Sequence, residues 1–168
     1  NGVTVFSNGN YVINSGRWDN GMAVDAGAVT FGNGETGVAG EVSAENSLVG
    51  TTTSDSLGFG SLQILANGNY LVVANSWDNG TIANAGAVVF GSAATGVKGV
   101  ISAENALIGG TANNTVGSGG VAVLANGNYV VRSDKWDNGS VTDVGAVTFG
   151  DGNTGVKGVV SATNSLVG

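Results

Sequence analysis

The chain has 168 residues, 31 of them glycine, with no proline, cysteine or histidine and a net charge of −7 from 12 acidic and 5 basic side chains. That composition excludes disulfides, a thiolate nucleophile, Cys/His metal sites and any catalytic apparatus built on an imidazole. Five cations on an acidic chain argue against nucleic acid as a partner, and no apolar stretch reaches the ~18 residues of a membrane-inserting helix.

A repeat dominates the chain. Asn8-Gly9-Asn10-Tyr11 returns as Asn67-Gly68-Asn69-Tyr70 and as Asn126-Gly127-Asn128-Tyr129. Trp18-Asp19-Asn20-Gly21 returns from Trp77 and Trp136, Gly27-Ala28-Val29 from Gly86 and Gly145, and Asn46 at Asn105 and Asn164. Every interval is 59 residues, without insertion or deletion. Residues 1–50, 60–109 and 119–168 therefore align as three units, joined by the linkers Thr51–Phe59 and Gly110–Ser118. The divisions are 1–59, 60–118 and 119–168. Such identity at a fixed period means one supersecondary unit copied three times, each leaning on its neighbour for a core.

In chain order, the third unit shows the pattern most clearly. Val121–Leu124 is β-prone, Asn126-Gly127-Asn128 is a hairpin signal, and Tyr129–Arg132 is the return strand. Ser133–Asp143 is a polar loop carrying Trp136-Asp137-Asn138-Gly139, and Ala146–Phe149 is a third strand. Asp151–Gly155 is a second turn, Val156–Ser161 a fourth strand, and Ala162–Gly168 a short extension. No helical period appears. The expected fold is all-β: three tandem repeats, each of four antiparallel strands. Tyr11-Val12-Ile13 and its two counterparts do not alternate apolar with polar, so both faces should be buried, as in β-propeller blades. A parallel β-helix is the alternative. Three blades are too few for a usual ring, which implies two chains per ring or part of a longer array. The start at Asn1 reads as a mature product or a piece of something larger.

Gly117-Ser118-Gly119-Gly120, an apolar strand, Asn126-Gly127-Asn128-Tyr129-Val130-Val131, a loop and Gly145-Ala146-Val147-Thr148-Phe149 resemble the FG-GAP blade of integrin-α-type propellers. The repeats are also similar to the Asn-Gly-Asn-Tyr and Trp-Asp-Asn-Gly repeats of large bacterial surface proteins of filamentous-haemagglutinin-like type. The FG-GAP resemblance implies a propeller. It does not carry over that family's calcium hairpin, because Ala125-Asn126-Gly127-Asn128-Tyr129 has no carboxylate.

The Trp-Asp-Asn-Gly loops are the candidate sites: Trp18, Asp19 and Asn20; Trp77, Asp78 and Asn79; Trp136, Asp137 and Asn138. Asp and Asn in such a loop cap a tight turn by bonding their own backbone. Alternatively, Asp19 with Asp25 and Asp137 with Asp143 supply paired carboxylates to a hard cation such as calcium, although the middle unit has Asn84 in place of the second Asp. The Trp either plugs the gap between neighbouring sheets or stacks on a sugar, giving one lectin pocket per repeat. No cofactor is otherwise expected. A catalytic site is one asymmetric constellation, whereas every distinctive residue here recurs in each unit. The expectation is a non-enzymatic extracellular module, bacterial by composition, for adhesion or for surface or filament structure. It should assemble head-to-tail with itself, with a glycan-binding lectin as the alternative. Within it, Gly127→Val should damage folding more than Asp151→Asn, and Gly68→Val more still.

Overall fold

The computed structural model describes residues 2–59 and 62–168. Unit 1 holds β1 (Gly2–Val5), β2 (Tyr11–Ser15), β3 (Ala28–Gly32) and β4 (Ser47–Val49). Unit 2 holds β5 (Leu62–Ile64), β6 (Tyr70–Ala74), β7 (Ala87–Gly91), β8 (Gly99–Val100) and β9 (Ala106–Ile108). Unit 3 holds β10 (Gly120–Val123), β11 (Tyr129–Ser133), β12 (Ala146–Gly150), β13 (Gly158–Val159) and β14 (Ser165–Val167). The architecture is all-β, with one sheet per repeat and, among the described residues, no closed barrel: β1-β2-β3-β4-β8, β5-β6-β7-β9-β13 and β10-β11-β12-β14.

Within each unit four strands pair antiparallel as a meander. The coil of a parallel β-helix is thereby replaced by hairpins at Gly9, Gly68 and Gly127. Each hairpin is a turn of type I character followed by glycine in the left-handed region, at φ of 87°, 89° and 90°. Phe6 shows the bonding: its N–H donates to the Asn10 carbonyl, and its carbonyl accepts from Gly9 N–H.

The fourth strand differs from the sequence expectation. In unit 3 it is β14, within the segment read as an extension, while Val156–Ser161 supplies only the two residues of β13. Positive φ at Gly158 (103°), inside that run, breaks it. β13 then leaves its own sheet and pairs parallel with β9 of unit 2, as β8 pairs parallel with β4 of unit 1. Each later unit thus hands a short strand back to the sheet before it.

The sheets stack face to face over two cores. Phe6, Val12, Val29, Leu48 and Leu57 of unit 1 meet Tyr70, Val72, Trp77, Val89 and Ile108 of unit 2. Leu65, Leu71, Val88, Leu107 and Val116 then meet Tyr129, Val131, Trp136 and Val160. β6 is buried along its whole length, so the two-faced burial expected from the unbroken apolar strand holds in the middle unit. The linkers belong to this core. Leu57 and Val116 are fully buried, and each donates its N–H to a carbonyl of the preceding unit, Ala26 and Ala85 respectively. The close approach needs glycine opposite: a Cβ on Gly86 would lie 2.2 Å from Val116 N.

Candidate functional site

The Trp-Asp-Asn-Gly loops are identical in design across the units. Asn20 N–H and carbonyl pair with those of Ala23, and the same closure joins Asn79 to Ile82 and Asn138 to Val141. The first central residue of each turn, Gly21, Gly80 or Gly139, has φ of 62°, which the primed hairpin turns require. The Asp that follows Trp caps the return. Asp19 Oδ1 accepts from Asp25 N–H at 2.8 Å, Asp78 from Asn84 at 2.7 Å and Asp137 from Asp143 at 2.8 Å. Asp25, Asn84 and Asp143 all sit at positive φ, where Asn and Asp are the best tolerated non-glycine residues. This explains why Asn replaces Asp in the middle unit. Asp25 and Asp143 meet Asp19 and Asp137 through their backbone N–H, so these contacts are turn caps. Among the described residues no group of three or more acidic side chains could hold a metal ion. Asn20 and Asn138 donate from Nδ2 to the carbonyls of Gly50 and Gly168, tying the loop to the end of the fourth strand.

The tryptophans fall into two classes. Trp77 (3% exposed) and Trp136 (8%) fill the cores between sheets and present no open ring face. Trp18 is only partly buried, because among the described residues no sheet covers that side of unit 1.

A second constellation lies at the joints between units. Asn10 Oδ1 accepts from Gly34 N–H within unit 1, while its Nδ2 donates to the Ala93 carbonyl of unit 2. Ala93 N–H donates to Asn69 Oδ1, and Asn69 Nδ2 donates to the Gly152 carbonyl. Gly152 N–H donates in turn to Asn128 Oδ1. One amide relay therefore crosses all three units at a single level. Asn8 and Asn67 reinforce it, donating at 2.7 Å to the same two carbonyls. Beside the relay, Phe31 lies on Gly96 and Phe90 on Gly155; a Cβ on either glycine would fall 2.4 and 2.5 Å from the phenylalanine. Lys98 Nζ donates across the first joint to the Glu45 carbonyl. The repeated Asn46, Asn105 and Asn164 brace the strand that is handed back. Each accepts from the serine N–H three residues earlier and donates to the carbonyl five residues earlier, at Glu41, Val100 and Val159.

The electrostatics follow from burial. Desolvation pushes the Tyr70 hydroxyl up to about 12. Burial also raises Tyr129, opposed by the Val156 N–H that donates to its hydroxyl and assisted by the charge of Asp151. Asp151, fully exposed, is lowered by the N–H groups of Asn153 and Thr154 that it accepts. Each tyrosine ring lies against its cross-strand glycine, Gly91 and Gly150.

Sequence reading identified the Trp-Asp-Asn-Gly turns but not the joint. The signal was present in the recurrence of Asn10 as Asn69 and Asn128, and of Phe31 and Gly96 as Phe90 and Gly155, at the same period.

The fold and its joints define an all-β repeat protein in which the recurring polar residues connect one unit to the next. A family described as a repeat of unknown function (DUF5650) matches residues 5–59, 64–118 and 123–168, and the chain belongs to that family. No curated protein matches the chain.

Proposed function

We propose that the chain is a non-enzymatic structural repeat module of an extracellular, bacterial surface protein, used in adhesion or in building a filament. In this reading its sheets are propeller-type blades, as the FG-GAP resemblance implies. The observation that supports it is where the repeated residues act. Asn10, Asn69, Phe31, Phe90, Trp77 and Trp136 all hold sheet to sheet, and none converges on a pocket with a reactive group. Repeat arrays gain their stability from such nearest-neighbour interfaces.

A glycan-binding lectin is the second reading, and Trp18, the least buried of the three tryptophans, favours it. Protein on beads, probed with a glycan array and with extracellular-matrix proteins, separates the two. Matrix binding without saturable sugar binding supports the structural module. Saturable sugar binding that is lost in Trp18→Ala, with an unchanged melt, overturns it in favour of the lectin.

A further inference from the structure

Each joint inside the chain uses the same parts. The earlier unit offers an asparagine pair, a phenylalanine and the free edge of its fourth strand. The later unit offers a carbonyl, a glycine and a two-residue parallel strand. Both sets are present, and unmatched among the described residues, on the outer faces of units 1 and 3. On unit 3, Phe149 is 56% exposed and Leu166 78% exposed, and among the described residues β14 has no parallel neighbour of the kind that β4 and β9 have. The Nδ2 groups of Asn126 and Asn128 make no hydrogen bond among the described residues. On unit 1, Gly34, Gly37, Gly40 and Glu41 are exposed, as are Val3 and Val5 of β1.

We propose that the unit 3 face docks the unit 1 face of a second copy of this chain, forming a third joint of the same kind; this rests on the structural-module reading above. In that joint Asn126 and Asn128 donate to the Gly34 carbonyl of the second copy, Phe149 lies on its Gly37, and its Gly40–Glu41 pairs parallel with β14.

Two observations select this occupant. First, the docking strand is already shaped. Gly40 has φ of 105°, against 103° in both Gly99 and Gly158, and Asn46 holds the Glu41 carbonyl as Asn105 holds that of Val100. A segment fixed in its bound form before binding avoids the ordering cost of association. Second, the charged groups at this level change together. Lys98 faces Glu45 at the first joint, and Lys157 and Glu104 hold the same positions at the second. At the proposed joint both are neutral, Ala39 and Thr163, so this pair of positions carries no unmatched charge, while Glu41 stands where the inner joints have Val100 and Val159. The contact is heterologous, so it closes into a ring or continues as a filament according to the rotation per unit.

The absence of native cysteine makes the test specific. Ala39→Cys and Thr163→Cys chains are mixed and treated with a short bis-maleimide, with a single chain carrying Glu45→Cys and Lys98→Cys as the geometric control. All four sites are exposed. The expected result is a mixed dimer, absent from either single variant alone, alongside intramolecular linkage in the control. Phe149→Ser should reduce the mixed product at least tenfold while leaving the control linkage and the melt unchanged. Linkage in the control without a mixed dimer overturns the joint, as does a mixed dimer indifferent to Phe149→Ser. Linkage of one single variant to itself also overturns it, because that requires a twofold contact. These outcomes leave the structural-module reading standing, since that reading fails only on saturable sugar binding.

Discussion

Units 2 and 3 are close copies in sequence, yet equivalent residues stand in different surroundings. Leu107 is fully buried and Leu166 is 78% exposed; Val88 is 1% exposed and Val147 42%. Gly86 faces a linker backbone within contact distance, whereas Gly145 has nothing closer than 3.6 Å. The residue types are the same and only the neighbour differs. In a stacked array, the energetic weight of a side chain is thus set by the next unit along, as the nearest-neighbour description of repeat proteins requires.

The sharpest test is a matched pair of truncations. Leu107→Ala should cost about 3–5 kcal/mol through lost contacts and a cavity, whereas Leu166→Ala should stay within about 0.5 kcal/mol. Urea melts at a concentration where the chain is monomeric measure both, and equal costs would break the comparison. Next comes glycine against glycine. Gly86→Ala places a Cβ 2.2 Å from Val116 N and should lose about 2–4 kcal/mol, while Gly145→Ala carries only the left-handed strain of about 1 kcal/mol.

The hairpins reverse an expectation drawn from the repeat alone. A Cβ on Gly127 meets Asn67 at 3.3 Å, but one on Gly68 meets nothing within 4 Å. Gly127→Val should therefore cost more than Gly68→Val, the latter about 1–3 kcal/mol from strain at positive φ. Asp151→Asn should be the mildest of the three, and thermal melts of the three variants give the order.

A smaller effect concerns pH. The Tyr70 hydroxyl is raised to about 12 from its ordinary 10.0. Its contribution, on the order of 2 kcal/mol, is complete below pH 10 and is lost as pH rises through 12, because the unfolded chain releases that proton first. Tyr70→Phe should flatten the fall in melting temperature across this window.

The smallest effect compares the linkers. Asp55 accepts from the N–H groups of Thr51, Thr52 and Asp78, whereas its counterpart Asn114 accepts only from Thr111 and buries an Nδ2 without a partner. Asn114→Asp should stabilise by about 1 kcal/mol, because it turns that orphan donor into an acceptor. A calorimetric melt that falls instead would mean that desolvation of the carboxylate outweighs its new bonds.

The repeat, the hairpins and the all-β class were legible because they rest on local chemistry: Asn-Gly before an apolar run, and a fixed period. Burial of Trp77 was legible as one of two readings, since an aromatic beside polar residues suits a core plug and a sugar platform equally. The swap of Val156–Ser161 for Ser165–Val167 was not legible. Both are short apolar runs, and the choice between them depends on which one meets a strand of the preceding unit. The linkers read as connectors because their role lies in main-chain bonds to residues some thirty positions earlier, which side-chain patterning does not encode.

The strand handed back to the preceding sheet also sets a clock for synthesis. Leu48 pairs with Gly99, so unit 1 emerges from the ribosome with its last edge open and waits about fifty residues for closure, a few seconds at ordinary translation rates of about 5–20 residues per second. The sheets of units 1 and 2 are each finished by the unit born after them, so their maturation trails elongation by one repeat.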